Sequence, residues 1–426
     1  MSKQKLPKLW AGFALLSIIL VCYPILALSG VHSSSPDSKG VPSRRKLARI
    51  HRHLHRINKQ AVTTIQSVDG DVIDCVDISR QPAFDHPALA NHTVENPPEM
   101  LPFTAEGSKT AFAYSAPRFR PQLWHQSGLC PEGTVAIRRT LMKDVLRSGS
   151  FASYRKKRNG LASVPQPKKP HSMSENGHEH AIGYMQGDTY YGAQATINVW
   201  SPSVQVPSEF SLSQMWLLAG SFTGDLNSIE AGWQVSPQLY GDYSPRLFTY
   251  WTTDAYQATG CYNLLCSGFV QTSNEIAIGA AVTPVSSIDS SQYDIRILIW
   301  KDPIKGNWWM QFGESYLVGY WPAAIFTHLA SSATMLEWGG EVVNTQPYGH
   351  HSATSMGSGQ FAEKGFAQAS YVRNIKYVDA NNVLKTPVGM QTLAEHPNCY
   401  DIQSSVNPEW GAYFYYGGPG QNSNCP

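Results

Sequence analysis

Charge is scarce in this 426-residue chain: Asp, Glu, Lys and Arg together make up 15% of it, too few for a long solvated helix or a coiled coil. Cys-x-x-Cys is missing, and so is any paired Cys/His spacing, which argues against a metal site; no metal or cofactor is expected. There is no Gly-x-Ser-x-Gly elbow, which argues against a serine hydrolase. Beyond residue 28 no apolar run is long enough to cross a bilayer. What is plentiful is aromatic: 12 Trp and 21 Tyr in a chain that is 11% aromatic. That composition suits a rigid β protein and argues against a helical bundle or a disordered chain.

The few charges are unevenly placed. Residues 1–170 carry 25 Lys+Arg against 11 Asp+Glu, and residues 171–426 carry 8 against 20. Two readings stand: the basic front and acidic back attract one another, or each is simply a solvated surface. Lys3, Lys5 and Lys8 precede an apolar run, Leu9 to Leu28, which exits through Ala27-Leu28-Ser29-Gly30. That is the layout of a secretory signal over residues 1–29; an uncleaved anchor is the alternative, and Pro24 and Ser29 favour cleavage. Cys22 leaves with the signal, and six cysteines remain. Behind a signal, an even number reads as three disulfides. Position narrows the fifteen pairings: Cys261 and Cys266 enclose a short loop, Cys399 and Cys425 tie down the tail, and Cys75 is left for Cys130. Asn91-His92-Thr93 is the only glycosylation sequon.

Between Arg44 and Lys59, ten Lys, Arg and His residues surround Leu47, Ile50, Leu54 and Ile57. The apolar spacing is helical, so this is an amphipathic basic helix. Behind a signal peptide its expected partner is the acidic half of its own chain rather than nucleic acid or membrane. Arg155-Lys156-Lys157-Arg158 followed by Val164-Pro165-Gln166-Pro167-Lys168-Lys169-Pro170 reads as an exposed linker. It divides a front module, residues 30–170, from a domain spanning 171–426, with the boundary falling at about 158–175. From Ala181 onward short β-type runs alternate with turns, and the clearest hairpin joins Tyr293–Trp300 to Asn307–Phe312 through Lys301–Gly306. The expected fold is all-β: an antiparallel two-sheet sandwich preceded by a small basic α+β module.

Several ordered segments resemble the neprosin family of plant secreted glutamic peptidases. They include Ile229-Glu230-Ala231-Gly232-Trp233, Phe248-Thr249-Tyr250-Trp251-Thr252, Gly260-Cys261-Tyr262-Asn263, Gly319-Tyr320-Trp321-Pro322, Trp338-Gly339-Gly340-Glu341-Val342 and Tyr416-Gly417-Gly418-Pro419-Gly420. In the front module, Ile73–Pro87 and Leu129–Thr140 resemble that family's activation peptide. The resemblance implies a zymogen whose propeptide inhibits its own catalytic domain. It also implies cleavage of peptide bonds after proline in acid, with Glu230 and Glu341 as the acid–base pair. Secretion to the extracellular space or apoplast, or along the same route to the vacuole, goes with it, as does a monomer acting on proline-containing peptides or proteins.

The residues fit that chemistry. Hydrolysis without metal or nucleophile needs one group to take a proton from water and another to give one to the leaving amine. Two facing carboxylates do both, because like charges drive their pKa values apart. The strand period puts Glu230, Gly232 and Gln234 on one face, and Gly339 and Glu341 on another. Gly232 is expected to admit a substrate backbone, and Gln234 to orient a carbonyl or water. Tyr250, Tyr320 and Trp321 are candidates for a flat proline pocket. His178-Glu179-His180 reads as a flexible end of the mature domain, and His350-His351 as part of a loop over the cleft. The rival readings are a glycoside hydrolase using the same two glutamates, or a glycan-binding protein on the same sandwich.

Overall fold

The computed structural model describes residues 42–104, 122–157, 177–346 and 350–426. The secretory signal, the Val164–Pro170 stretch and the expected boundary at 158–175 lie outside them. Among the described residues no helix is long and apolar enough to cross a membrane.

The front module is α+β. The helix Arg44–Ile57 forms on its 3,4-spaced apolar residues and buries Ile50 and Ile57. Strands Ala61–Gln66, Val72–Asp77 and Thr134–Arg138 follow as a three-stranded antiparallel sheet in that order. Cys75 is joined to Cys130, and Asn91 is exposed. Two short helices, Met142–Arg147 and Phe151–Arg155, end the module.

The rest of the chain is a two-sheet antiparallel sandwich. One sheet has seven strands, and its centre is formed by Arg246–Thr252, Asn227–Val235, Ser211–Ala219, Ala333–Val343 and His178–Tyr190 as successive neighbours. The second sheet has ten strands, among them the expected hairpin Asp294–Lys301 with Trp308–Phe312. Alternation decides which side chains meet between the sheets. Trp233 points inward, its Nε1 donating to the Asn198 carbonyl at 2.9 Å. Gly340 also faces inward, and a Cβ there would sit 2.6 Å from Tyr416 Cε2. Glu230 and Glu341, one residue out of phase with these, therefore face outward. Cys261–Cys266 and Cys399–Cys425 complete the disulfides.

The front module is built into this sandwich. Ala277 and Ala280 join Ile65, Ile73, Cys75, Trp124 and Cys130 in one apolar cluster. Gln81 makes a paired hydrogen bond with the Gln271 backbone (2.7 and 2.9 Å), and Gln122 does the same with Ala277 (2.9 and 2.8 Å). Phe103–Thr104 adds in parallel to the edge strand Val383–Lys385.

The charge contacts correct the expected basic-cap arrangement. Arg45, Arg49 and Arg52 of the basic helix are exposed, and no described acidic residue pairs with them. One buried ion pair of this interface has the opposite polarity: front-module Asp71 lies 2.5 Å from Arg246 and 2.8 Å from Arg138. The basic helix carries the partly buried His53. Burial, with Arg56 and Arg155 nearby, lowers its pKa to about 4.

Removing one member of a buried pair strands the other charges. Asp71→Ala should therefore cost the precursor roughly 3–5 kcal/mol in urea unfolding. Asp85→Ala, which loses only the half-exposed pair with Lys59, should cost less than about 1 kcal/mol. Equal losses in the two variants would contradict the interface described.

Candidate active site

Five adjacent strands place the site on the outer face of the seven-stranded sheet. Glu230 lies opposite Trp216 and Tyr250. Gln214 lies between Gly232 and Gly339, and Leu212 between Gln234 and Glu341, which is itself opposite His180. The two glutamates thus stand two rows apart on one face, with the row of Gln214 between them.

Both carboxylates are fully buried, and the group that joins them comes from the front module. Lys157 Nζ sits 3.1 Å from Glu230 Oε2 and 2.7 Å from Glu341 Oε2. Gln214 Nε2 donates to the same two oxygens at 3.1 and 3.4 Å. The outer oxygens have different company. Glu230 Oε1 accepts from Ser228 Oγ at 2.9 Å and from the Tyr256 hydroxyl at 2.7 Å. Glu341 Oε1 takes His178 Nδ1 at 2.6 Å, and His180 Nε2 stands 3.8 Å from Oε2. His178 Nε2 is buried with no partner among the described residues.

Burial alone would depress the Lys157 ammonium, but the two carboxylates outweigh it and hold the group above the ordinary lysine value. Burial also opposes charge on Glu341. Lys157, then His178 and His180, reverse that and keep its carboxyl well below the usual range. His180 is raised to about 9 because Glu395, Glu341 and Glu337 overcome its burial. Glu337, on the row of Glu230, goes the other way: burial, reinforced by Glu230, Glu341 and Glu395 and opposed by His180, lifts it to about 7.

Aromatic side chains wall the Lys157 stem. Its Nζ is 5.8 Å from the Tyr256 ring centre and 6.0 Å from that of Trp216. Tyr250 stacks on Tyr256 at 5.8 Å, meets Tyr262 edge-on at 4.7 Å, and accepts from the Lys157 backbone N–H at 3.3 Å. Ala255 and Tyr256 both have positive φ, 51° and 64°, a costly backbone for non-glycine residues. Asp254 secures it, accepting from Ala258 N, Thr259 N and Thr259 Oγ1. Beside Lys157 a cavity of about 400 Å³ is lined by both halves, including Ala152, Tyr154, Lys156, Phe210 and Leu239.

Of the residues singled out by sequence, Glu230, Glu341 and Tyr250 come together here. Gly232 and Gly339 are on the same face, but not to admit a ligand. A Cβ at Gly232 would lie 2.0 Å from the Ser213 carbonyl oxygen, and one at Gly339 2.3 Å from that of Ala181. These glycines let the strands approach. Gln234 bonds Tyr240, not the pair. Tyr320 and Trp321 belong to the other sheet, where the Tyr320 hydroxyl meets His92 and the Glu95 backbone and Trp321 packs edge-on against Phe269.

His178-Glu179-His180 is no flexible end; it opens a central strand and is buried. His351 lies beneath the sheet on Glu179 and not over the cleft. Gln214 and Lys157 were missed. A lone amide among the apolar in-phase positions Leu212 and Trp216 was a usable signal for Gln214. Nothing in the polybasic run distinguished Lys157 from its neighbours.

The arrangement is an outward-facing two-carboxylate centre on a β-sandwich, sealed by a lysine from the chain's own front module. The neprosin family model matches residues 207–419, and the neprosin activation peptide model matches residues 64–184. The chain belongs to the neprosin family. Among solved structures it is similar to scytalido-glutamic peptidase bound to a peptide-based transition-state analog: 12% identity, 57% of this chain, 98% of that one, TM-score 0.31. It is also similar to SCP-B, a member of the eqolisin family of peptidases, complexed with the tripeptide Ala-Ile-His: 11% identity, the same coverages, TM-score 0.29. Likeness at that level says nothing about the chemistry of this chain.

Glu337 gives a pH signature. Its folded pKa is raised above its unfolded value, so the folded state holds the proton that the unfolded state releases first. Stability is therefore present below about pH 4.5 and falls as pH rises toward about 7. Glu337→Gln should flatten that fall and stabilise the protein at pH 7 by on the order of 2 kcal/mol. Thermal melts from pH 4 to 7.5 measure it, and parallel curves for variant and parent would refute it.

Proposed function

We propose that this protein is the zymogen of a secreted glutamic endopeptidase that cleaves peptide bonds after proline in acid, using Glu230 and Glu341. The observation that carries the reading is the seat of Lys157. A segment of the chain's own backbone occupies the face bearing the two carboxylates, and its ammonium neutralises both. A site that takes a segment of polypeptide against two glutamates is suited to a peptide substrate, and one plugged by a cation is suited to being kept silent.

Once Lys157 is withdrawn, two carboxylates remain in one buried place, and one of them takes up a proton. Glu341 retains the His178 N–H and stays ionised, so it is the group that removes a proton from water. Glu230 receives only neutral donors from Ser228, Tyr256 and Gln214; it carries the proton and delivers it to the leaving amine. Gln214 continues to span the pair. Tyr250, Tyr256 and Tyr262 offer the flat apolar wall that a pyrrolidine ring requires. Acid favours release, because protonating either glutamate leaves Lys157 a single partner. Cleavage within residues 158–176 then makes the change permanent.

The test is incubation of purified precursor at about pH 3 with a proline-containing protein, the cut sites being read by mass spectrometry. Glu230→Gln and Glu341→Gln should each lower turnover by at least ~10²-fold. Lys157→Met should cleave a short peptide without prior processing. Cuts elsewhere than after proline would remove the specificity. A folded Lys157→Met precursor and a folded processed enzyme that both leave every peptide intact would overturn the peptidase reading.

A further inference from the structure

The strand that delivers His178 and His180 to Glu341 carries Glu179 toward its other face, into a cluster that the proposed chemistry does not use. Glu179 Oε2 lies 2.8 Å from His351 Nε2 and 2.9 Å from His396 Nδ1. One donor atom from each of the three residues falls within 4.8 Å of the others. The hydrogen bonds fix what faces what. His351 Nδ1 is 2.7 Å from the Ser352 carbonyl, and its Nε2 shares a hydrogen bond with Glu179 Oε2 at 2.8 Å. His396 Nδ1 is buried and, despite its closeness to Glu179, has no hydrogen-bond partner in proper line among the described residues. Two imidazole nitrogens and a carboxylate oxygen thus converge on one point, where a divalent ion can take the place of the shared protons.

We infer that Glu179, His351 and His396 form a site for a divalent transition-metal ion of the zinc type, opposite in the sheet to the two glutamates. Two imidazole nitrogens and one carboxylate oxygen are a usual donor set for Zn²⁺. Around a tetrahedral zinc, donors at ~2.0–2.1 Å stand roughly 3.3 Å apart, so the cluster need open by only a few tenths of an ångström. Two of the three side chains already have a second partner, as metal ligands characteristically do. Asn344 Nδ2 donates to Glu179 Oε1 at 3.2 Å. His351 is held by Ser352 and by its own N–H on the Pro426 carbonyl at 3.0 Å. The His396 carbonyl accepts from Cys399 N at 2.8 Å, beside the disulfide to Cys425.

Resting on the zymogen reading, the site has a purpose. Cleavage upstream makes the strand His178–Tyr190 the first element of the mature chain, where ends fray. An ion bridging Glu179 to two later segments pins that end and, through it, His178 against Glu341.

The test uses tag-free precursor, stripped with chelator at pH 7.5 and titrated with Zn²⁺ and, separately, Co²⁺. Expected are one ion per chain by elemental analysis, a rise in melting temperature, and visible Co²⁺ bands of tetrahedral intensity. His396→Gln, at the half-exposed ligand, should lose these responses while leaving the far-ultraviolet circular dichroism unchanged, and His351→Gln should do the same. Failure of the parent to take up metal would overturn the site and show the cluster to be held by protons alone, with the peptidase reading untouched. Uptake that persists in the His351→Gln/His396→Gln double variant would place the ion elsewhere, for instance on His51 and His55, and would equally overturn it.

Discussion

One ammonium between two buried carboxylates organises this protein. Glu230 and Glu341 are each at most 1% exposed, and two like charges so placed would repel strongly in a medium that screens poorly. Lys157 removes that conflict by entering from another part of the chain. The remaining contacts between the halves serve to hold that lysine in place. Asp71 on Arg246, Gln81 on Gln271 and Gln122 on Ala277 fix the front module, and the Lys156 ammonium donates to the Gln257 carbonyl at 3.1 Å, beside the loop that supplies Tyr256. The face bearing the two glutamates is therefore covered and neutralised as long as the front module is in place.

Much of this was legible in the residues, for reasons that can be named. Strand alternation placed Glu230 opposite in phase to Trp233, and Glu341 opposite to Gly340, so the outward aim of both glutamates was readable without coordinates. The Tyr293–Phe312 hairpin was readable because turn chemistry at Pro303 and Gly306 interrupts two strongly β-type runs. The two-sheet sandwich followed from the same punctuation repeated along the chain.

What stayed hidden depends on long-range partners. Lys157 looks like linker because its meaning lies in residues 73 and 184 positions away. His178-Glu179-His180 looks like a loose polar end because its three partners, Glu341, His351 and Glu395, are far along the chain. Tyr320 and Trp321 share the aromatic texture of the cleft, yet their strand pairs into the other sheet, and no local pattern reports that. The glycines misled for a related reason: Gly232 and Gly339 sit beside the glutamates, but the space they provide is taken by neighbouring strands. Net charge misled most. The imbalance between the halves is real, whereas the contacts that join them are a handful of specific pairs, one of them reversed in sign.

The parallel addition of Phe103–Thr104 to Val383–Lys385 bears on how the sandwich behaves in solution. A front-module segment covers a free edge of the larger sheet for as long as the two halves stay together, and its departure bares a row of unpaired backbone groups. Bared edges recruit other strands, their own kind included. This one is three residues long and carries exposed Lys385, which forms an ion pair with Asp379 at 2.6 Å. Shortness and charge are what keep an edge from templating a neighbour, so the domain freed from its cover is built to remain dispersed when concentrated.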